Sequence, residues 1–311
     1  MKQLKGIVIN ICTTCHMRCR HCSNTDTLRD SRKIDAELVH KCISEAAAMG
    51  IEEITIVGGE PFDELEVLSE ACNIARIHGR KLCIITNGSW ARDRERGAEL
   101  LSKLPGITSI IVSSDLYHLE YVSEEAVRNV VELCRLLHID ISIHASCASR
   151  ADAKKVRNIY KDLMNCIFIN TNQLMPIGAA KTLNIERFML GEKIDSLMRF
   201  CGAGKLYVDT GGDVYGCCNA CLGDETFLYY GNLYKTSLSE AAELMEKDGL
   251  YQYMVKAGPR GLKKLLEFSG KSDDFMHKYY TCECDACIDI LRNIKFDDQL
   301  FNKSSQGERE V

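Results

Sequence analysis

The sequence predicts an α/β protein: a partial, open (β/α)6 barrel of TIM-like type followed by a small C-terminal domain. Three observations carry that prediction. Short apolar, β-rich runs alternate with amphipathic helical stretches over residues 5–176. Polar and glycine-rich residues recur directly after the ends of those runs. After Gly178 the alternation stops, and a hairpin pattern with further helices replaces it.

The strands expected in order are Gly6–Ile11, Glu53–Val57, Lys81–Ile85, Ser109–Val112, Asp140–His144 and Cys166–Ile169, the last with a run-on toward Met175. Helical patterns fill the gaps at Asp35–Met49, Asp63–His78, Ala91–Leu104, Ser123–Leu137 and Ala151–Leu163. Runs of four to six mostly apolar residues, each followed by a helix, indicate parallel βα units with helices on the outside. Six units are too few to close an eight-stranded barrel. Leu206–Val208 and Asp213–Cys217, joined through Thr210-Gly211-Gly212, read as a β-hairpin. Helices are expected near Ser239–Lys247, Gly261–Phe268 and Ala286–Arg292. The implied division is 1–190 for the barrel, 191–300 for the small domain and 301–311 for a polar tail.

The chain has 311 residues, 46% hydrophobic and 27% charged, which suits a globular protein with a large core. A net charge of −5 argues against a broad electrostatic grip on nucleic acid. The opening MKQLKGIVIN lacks the features of a signal peptide, and no stretch has the roughly 18 apolar residues of a membrane span. The expected location is the cytoplasm.

Seventeen cysteines in such a compartment are read as metal ligands, reactive groups or small core residues rather than disulfides. Cys42, Cys72, Cys83, Cys134 and Cys166 lie singly in apolar patterns and read as core. Ten others crowd together: Cys12, Cys15, Cys19 and Cys22; Cys217, Cys218 and Cys221; Cys282, Cys284 and Cys287.

In open α/β folds the loops after the strands' C-terminal ends build the site. Cys15-His-Met-Arg-Cys19-Arg-His-Cys22 follows the first strand, Gly58-Gly59-Glu60-Pro61 the second, Thr86-Asn87-Gly88 the third, Ser113-Ser114-Asp115 the fourth, and His144 ends the fifth. Three thiolates on one loop can hold three irons of a cubane and leave a fourth iron open. A zinc site with Cys12 as fourth ligand, or a closed ferredoxin-like cluster, is the competing reading.

The C-x3-C-x2-C loop followed by GGEP resembles the radical S-adenosylmethionine (SAM) superfamily over roughly residues 5–180. The resemblance implies a [4Fe–4S] cluster on Cys15, Cys19 and Cys22. SAM would chelate its open iron, and an electron donor such as flavodoxin or ferredoxin would feed it. It implies SAM contacts from Gly58, Gly59, Glu60 and Pro61, with the Glu60 carboxylate meeting the methionine ammonium. Asn87, Ser113, Asp115 and His144 would meet the carboxylate and ribose, and Met175 would lie beside the adenine. Members commonly carry an aromatic residue before the third cysteine; here it is His21.

Cys201, Gly212, Cys217 and the later Cys284-Asp-Ala-Cys287 resemble a SPASM/twitch extension. That implies one auxiliary [4Fe–4S] cluster on Cys201, Cys217, Cys284 and Cys287. Zinc on the same thiols is the alternative, and Cys282, Cys218 and Cys221 are possible replacement ligands. Asp115-Leu-Tyr117-His118, Gly178-Ala-Ala-Lys181 and the Cys217-Cys218 pair resemble epimerases that invert residues of ribosomal peptides. There the second cysteine of the pair returns a hydrogen, a role that falls on Cys218, with Cys147 as a fallback. An acidic residue expected after the first auxiliary cysteine is replaced by Lys205. Lys205, Asp209 and Tyr215 are the residues expected to face the substrate.

With 14 residues before Cys15, no N-terminal leader-binding module is expected, so the barrel rim, the C-terminal domain or a separate protein must hold the substrate. The expected activity is radical epimerisation of a peptide or protein. Cross-linking or thioether formation, dehydrogenation of a small metabolite, and a non-enzymatic iron–sulfur carrier are the other readings.

Overall fold

The computed structural model describes residues 4–24, 31–184, 193–197, 204–217, 228–268 and 279–293. Six strands run parallel and lie side by side in chain order: β1 (Gly6–Asn10), β2 (Glu53–Val57), β3 (Lys81–Thr86), β4 (Ile107–Ser113), β5 (Asp140–Cys147) and β6 (Phe168–Gln173). The crossovers contain α1 (Ala36–Ala48), α2 (Leu65–Ile77), α3 (Arg94–Ser102), α4 (Glu124–Leu136) and α5 (Arg150–Ile159). Helix starts are fixed locally. Asp93, Ser123 and Ser149 each accept a backbone N–H of the first turn with the side chain, at 3.0, 3.2 and 3.1 Å.

Period-two alternation divides the sheet into two unlike faces. Ile7, Ile9, Ile54, Ile56, Leu82, Ile84, Ile110 and Val112 are buried in the main apolar cluster. Val8, Thr55, Val57, Cys83, Ile85, Ser109, Ile111 and Ser113 alternate with them and line a cavity of about 1010 Å³. The inner face is thus open rather than packed.

The C-terminal segment extends the same sheet. β7 (Lys205–Val208) pairs in parallel with β1, and antiparallel β8 (Asp213–Tyr215) and β9 (Tyr229–Asn232) follow. The sheet order is β6-β5-β4-β3-β2-β1-β7-β8-β9, so it ends in two edges and does not close. α6 (Leu238–Lys247), α7 (Gly249–Phe268) and α8 (Glu283–Asn293) complete the described elements. α7 is kinked at Gly258, whose φ of 59° and ψ of −159° favour glycine. α6 docks on α1: Glu45 accepts the Leu238 N–H at 2.6 Å, and Lys41 donates to the Leu233 carbonyl at 2.5 Å.

Several boundaries differ from expectation. His144 does not end β5, which continues to Cys147 by pairing His144–Cys147 with Asn170–Gln173. Its partner run Asn170–Gln173 is polar because β6 is the edge strand of the sheet, and in the extension itself only Ala145 and Cys147 reach the core, which hid the strand from an apolar pattern. α7 begins at Gly249, twelve residues before the expected start, and β9 is an additional strand. Cys42, Cys72 and Cys134 are buried as expected, but Cys83 lines the cavity and Cys166 is exposed. The boundary near residue 190 and the tail 301–311 lie outside the described residues.

Candidate active site

The cysteine loop leaves β1 and is stitched to the glycine turn after β2. Gly59 donates its N–H to the Cys12 carbonyl at 2.7 Å, and Glu60 donates to the Thr14 carbonyl at 2.8 Å. The Cys12 thiol donates to the Glu60 carbonyl at 3.4 Å. A side chain at Gly59 would run into the Thr14 carbonyl, and one at Gly58 would stand 2.8 Å from Cys12 Sγ. Close approach of two backbones is therefore what requires glycine here. Gly178, at φ 55°, packs in the same way against the Cys22 carbonyl, and Ala179 donates its N–H there at 2.9 Å.

Cys15, Cys19 and Cys22 all line the cavity. Burial pushes the Cys15 thiol up to about 11. Burial, then the neighbouring Cys22 and Cys15, pushes Cys19 up to about 12. Burial raises Cys22 as well. Three crowded thiols that resist ionisation are stabilised as thiolates by a cationic metal group. The donor set therefore fits an iron–sulfur cluster.

Glu60 is 0% exposed and its carboxylate is fully engaged by the protein. Oε1 accepts from Thr86 Oγ1 at 2.7 Å and from the Phe62 N–H at 3.1 Å, while Oε2 accepts from the Asn87 N–H at 2.7 Å. Burial pushes this carboxyl up to about 7 against the pull of those bonds. Pro61 is buried at the start of a single 3-10 turn. The cavity is lined here by Gly58 and Gly59, with Glu60 and Pro61 behind them.

Asn87, Ser113, His21 and Met175 also line the cavity. Asn87 Oδ1 accepts the Ser89 N–H at 2.9 Å, and its Nδ2 lies 3.9 Å from Cys15 Sγ. Asp115 is buried, with Oδ2 2.9 Å from His118 Nδ1 and 3.1 Å from His21 Nε2. It also accepts the N–H groups of Tyr117, His118 and Ser146 at 3.0, 3.1 and 3.2 Å. Burial opposes its charge, yet the bonds from His118 and His21 hold it well below the usual carboxylate range.

Tyr117 stacks on the His21 ring at 4.6 Å and 17°. His21 is 7% exposed, and its Nδ1 has no hydrogen-bond partner. Arg20 pairs with Glu120, and Tyr121 donates to the Arg18 carbonyl at 2.8 Å. Asp115 thus acts behind His21, and the loop after β4 clamps the cysteine loop. His144 is half-buried, with its basicity lowered by burial, and is outside the cavity lining.

The second cysteine group is partly described; Cys201, Cys218 and Cys221 lie outside the described residues. Cys217 and Cys287 pack against the core, and Cys284 is exposed. Cys282, at the start of α8, shares a hydrogen bond with Cys284 that draws its thiol down to about 7 against burial. Of the three residues expected to face the substrate, Lys205 lines the cavity, as does its neighbour on β7, Tyr207. Asp209 caps its own turn, accepting the Gly211 N–H at 2.8 Å, and Tyr215 meets Tyr229 edge-on at 5.7 Å. Among the described residues no helix is long and apolar enough to cross a membrane.

Residues 9–140, from the end of β1 to the start of β5, match the model of the radical SAM superfamily. YydG of Bacillus subtilis strain 168, named for peptide biosynthesis, is 24% identical over 298 residues, 93% of this chain and 92% of that protein. GTP 3′,8-cyclase of Clostridium perfringens strain SM101 is 22% identical over 195 residues, 58% of each chain. Among solved structures, the [FeFe]-hydrogenase maturase HydG superposes with a TM-score of 0.42 at 17% identity, covering 62% of this chain and 48% of that one. The chain carries a radical SAM domain and is a radical SAM enzyme, working with SAM and a [4Fe–4S] cluster.

Proposed function

We propose that this enzyme abstracts a hydrogen from a peptide and returns one to the opposite face, inverting an L residue to D. Similarity to YydG over nearly the whole of both chains is the observation that carries the peptide reading. The open inner face agrees with it, since the cavity runs from the cysteine loop down to Glu53, Lys81 and Lys205 at the far ends of the strands.

In this reading Cys15, Cys19 and Cys22 hold the cluster. When bound, the cluster and SAM supply the 5′-deoxyadenosyl radical that takes the substrate hydrogen. The backbones of Gly58 and Gly59, with Asn87, Ser113, His21 and Met175, surround SAM. Glu60, Pro61 and Asp115 are positioning residues; Glu60 fixes the turn and Asp115 orients His21. Cys217, Cys284 and Cys287, with Cys201, hold an auxiliary cluster, and Cys282 stands beside Cys284 as an alternative ligand. Cys218 gives its S–H hydrogen to the substrate carbon. One electron and one proton must then restore the thiol, and an auxiliary cluster held by those cysteines would supply the electron.

Co-expression with each short reading frame flanking the gene, followed by reaction of the purified pair with SAM and dithionite in D2O, tests this. One added deuterium at an α-carbon, with a D residue on hydrolysis, is the expected result. A two-dalton loss would replace epimerisation by cross-linking. 5′-Deoxyadenosine without any altered peptide would remove the peptide reading.

A further inference from the structure

The two edges of the sheet are built differently. β9 is blunted: its register against β8 shifts, Gly231 sits at φ 118°, and the Asn232 carbonyl already accepts the N–H groups of Lys235 and Thr236, each at 2.9 Å. β6 carries none of the usual devices against stray pairing. Phe168-Ile-Asn-Thr-Asn-Gln173 has no charge and no proline, and it follows β5 through six consecutive partners without a shift. Among the described residues no strand pairs with its outer side. An edge left open over six residues calls for an explanation.

The phase of β6 is set at its upper end, where Leu174 donates its N–H to the Cys147 carbonyl at 3.0 Å. Asn170 and Asn172 therefore turn their backbone groups to β5, and Ile169, Thr171 and Gln173 turn theirs to the open side. Side chains sort by face. Thr171 Oγ1 accepts from Arg157 of α5 at 2.9 Å and Ile169 packs against the core, so Phe168, Asn170 and Asn172 belong to the inner face. Phe168, at the lower end, is 66% exposed. At the upper end Gln173, Leu174 and Met175 line the same cavity as Cys15, Cys19 and Cys22. The open backbone edge thus leads directly into the candidate active site.

We propose that the peptide substrate binds as an added strand on the outer edge of β6, with its backbone bonded to Ile169, Thr171 and Gln173. The stretch of substrate beyond Gln173 then enters the cavity beside the cysteine loop. This rests on the peptide reading above and adds to it a binding mode and the residues that carry it. Strand addition draws affinity from main-chain hydrogen bonds, which suits an edge whose own side chains are mostly uncharged amides. Phe168 supplies an apolar contact for one substrate side chain.

The test uses anaerobically reconstituted enzyme with S-adenosylhomocysteine and no reductant, so that binding is read without turnover. The probe is the synthetic peptide from the flanking reading frame, fluorescently labelled, and its single-position N-methyl analogues. N-methylation is expected to weaken wild-type binding about 3- to 10-fold at alternate positions of one short run and to spare those between, since alternate residues of a strand face its partner. Thr171→Pro deletes one outward N–H and leaves the pairing with β5 intact, as an edge strand allows. Thr171→Val keeps that N–H and loses the bond to Arg157. The proline variant should bind the parent peptide about 3- to 10-fold more weakly than the valine variant. If Thr171→Pro does not fold, the N-methyl series, which needs no variant, decides alone.

Wild type that binds the parent peptide without an alternating N-methyl penalty would overturn the proposal and leave the peptide reading standing. Equal affinity in Thr171→Pro and Thr171→Val would overturn it as well. A dimer that Thr171→Pro dissolves, with peptide binding unchanged, would give the edge to a second copy of the chain and overturn it too. Wild type that binds no flanking-frame peptide would sink the peptide reading itself and the proposal with it.

Discussion

Asn87 donates its backbone N–H to Glu60 Oε2 at 2.7 Å, so the acid of the glycine turn closes onto the turn after β3. The expected partner of that carboxylate was a ligand ammonium; its observed partners are three protein donors. Two rim loops are thereby locked together through a fully buried carboxyl group.

That lock predicts a pH dependence. The Glu60 carboxyl titrates near 4.5 when unfolded and near 7 when folded, so folding takes up a proton between those values. Its stabilisation is full below pH 4.5 and is lost as pH rises through 7. Melting of the metal-free protein is expected to fall from pH 5 to pH 8 (~) in wild type and to flatten in Glu60→Gln. An unchanged slope in the variant would show that another group titrates.

Gly59→Ala should disturb both loops at once, because the added carbon runs into the Thr14 carbonyl. The expected cost is about 1–3 kcal/mol of stability, with lowered iron content after reconstitution. Calorimetry and iron analysis on the same preparation check it; an alanine variant with full iron and unchanged melting would contradict the close-packing argument.

Asp115→Asn keeps the shape but removes the charge that His21 and His118 face. Loss of charge-assisted bonds is expected to cost about 1.5–3 kcal/mol in stability. S-adenosylhomocysteine should also bind more weakly, since the His21 ring loses its orienting partner. Equal affinity in variant and wild type would mean that His21 orientation does not matter to the ligand.

Cys282 is drawn down to about 7 by its bond with Cys284, while burial pushes Cys42 and Cys72 far up, Cys72 to about 12. In metal-free protein at neutral pH, iodoacetamide is expected to label Cys282 well before Cys42 or Cys72. Peptide mapping over a time course decides it. Prior loading with iron and sulfide should slow that labelling if the α8 thiols hold the auxiliary cluster.

The outer face of the barrel was readable because its chemistry is repetitive. Ile7, Ile9, Ile54, Ile56, Leu82 and Ile84 carry an apolar pattern that burial against helices demands. The rim was readable for a different reason: close backbone approach restricts Gly58 and Gly59, and metal binding restricts Cys15, Cys19 and Cys22, to few residue types. The inner face gave a poorer signal. Cys83 reads as one more small core residue, and His144 reads as a strand end, because nothing local reports that a cavity lies opposite Cys83 or that β5 runs on to pair with β6.

The sequence alone determined the parallel βα order, the thiol loop after the first strand and the glycine turn after the second, since each depends on neighbours a few residues away. Only the tertiary structure decided that Glu60 faces Asn87, that Asp115 stands behind His21, and that β7 joins β1 to make one sheet of the two halves. Those relationships join residues tens to hundreds of positions apart, and a side chain's partner is fixed by which backbone arrives beside it.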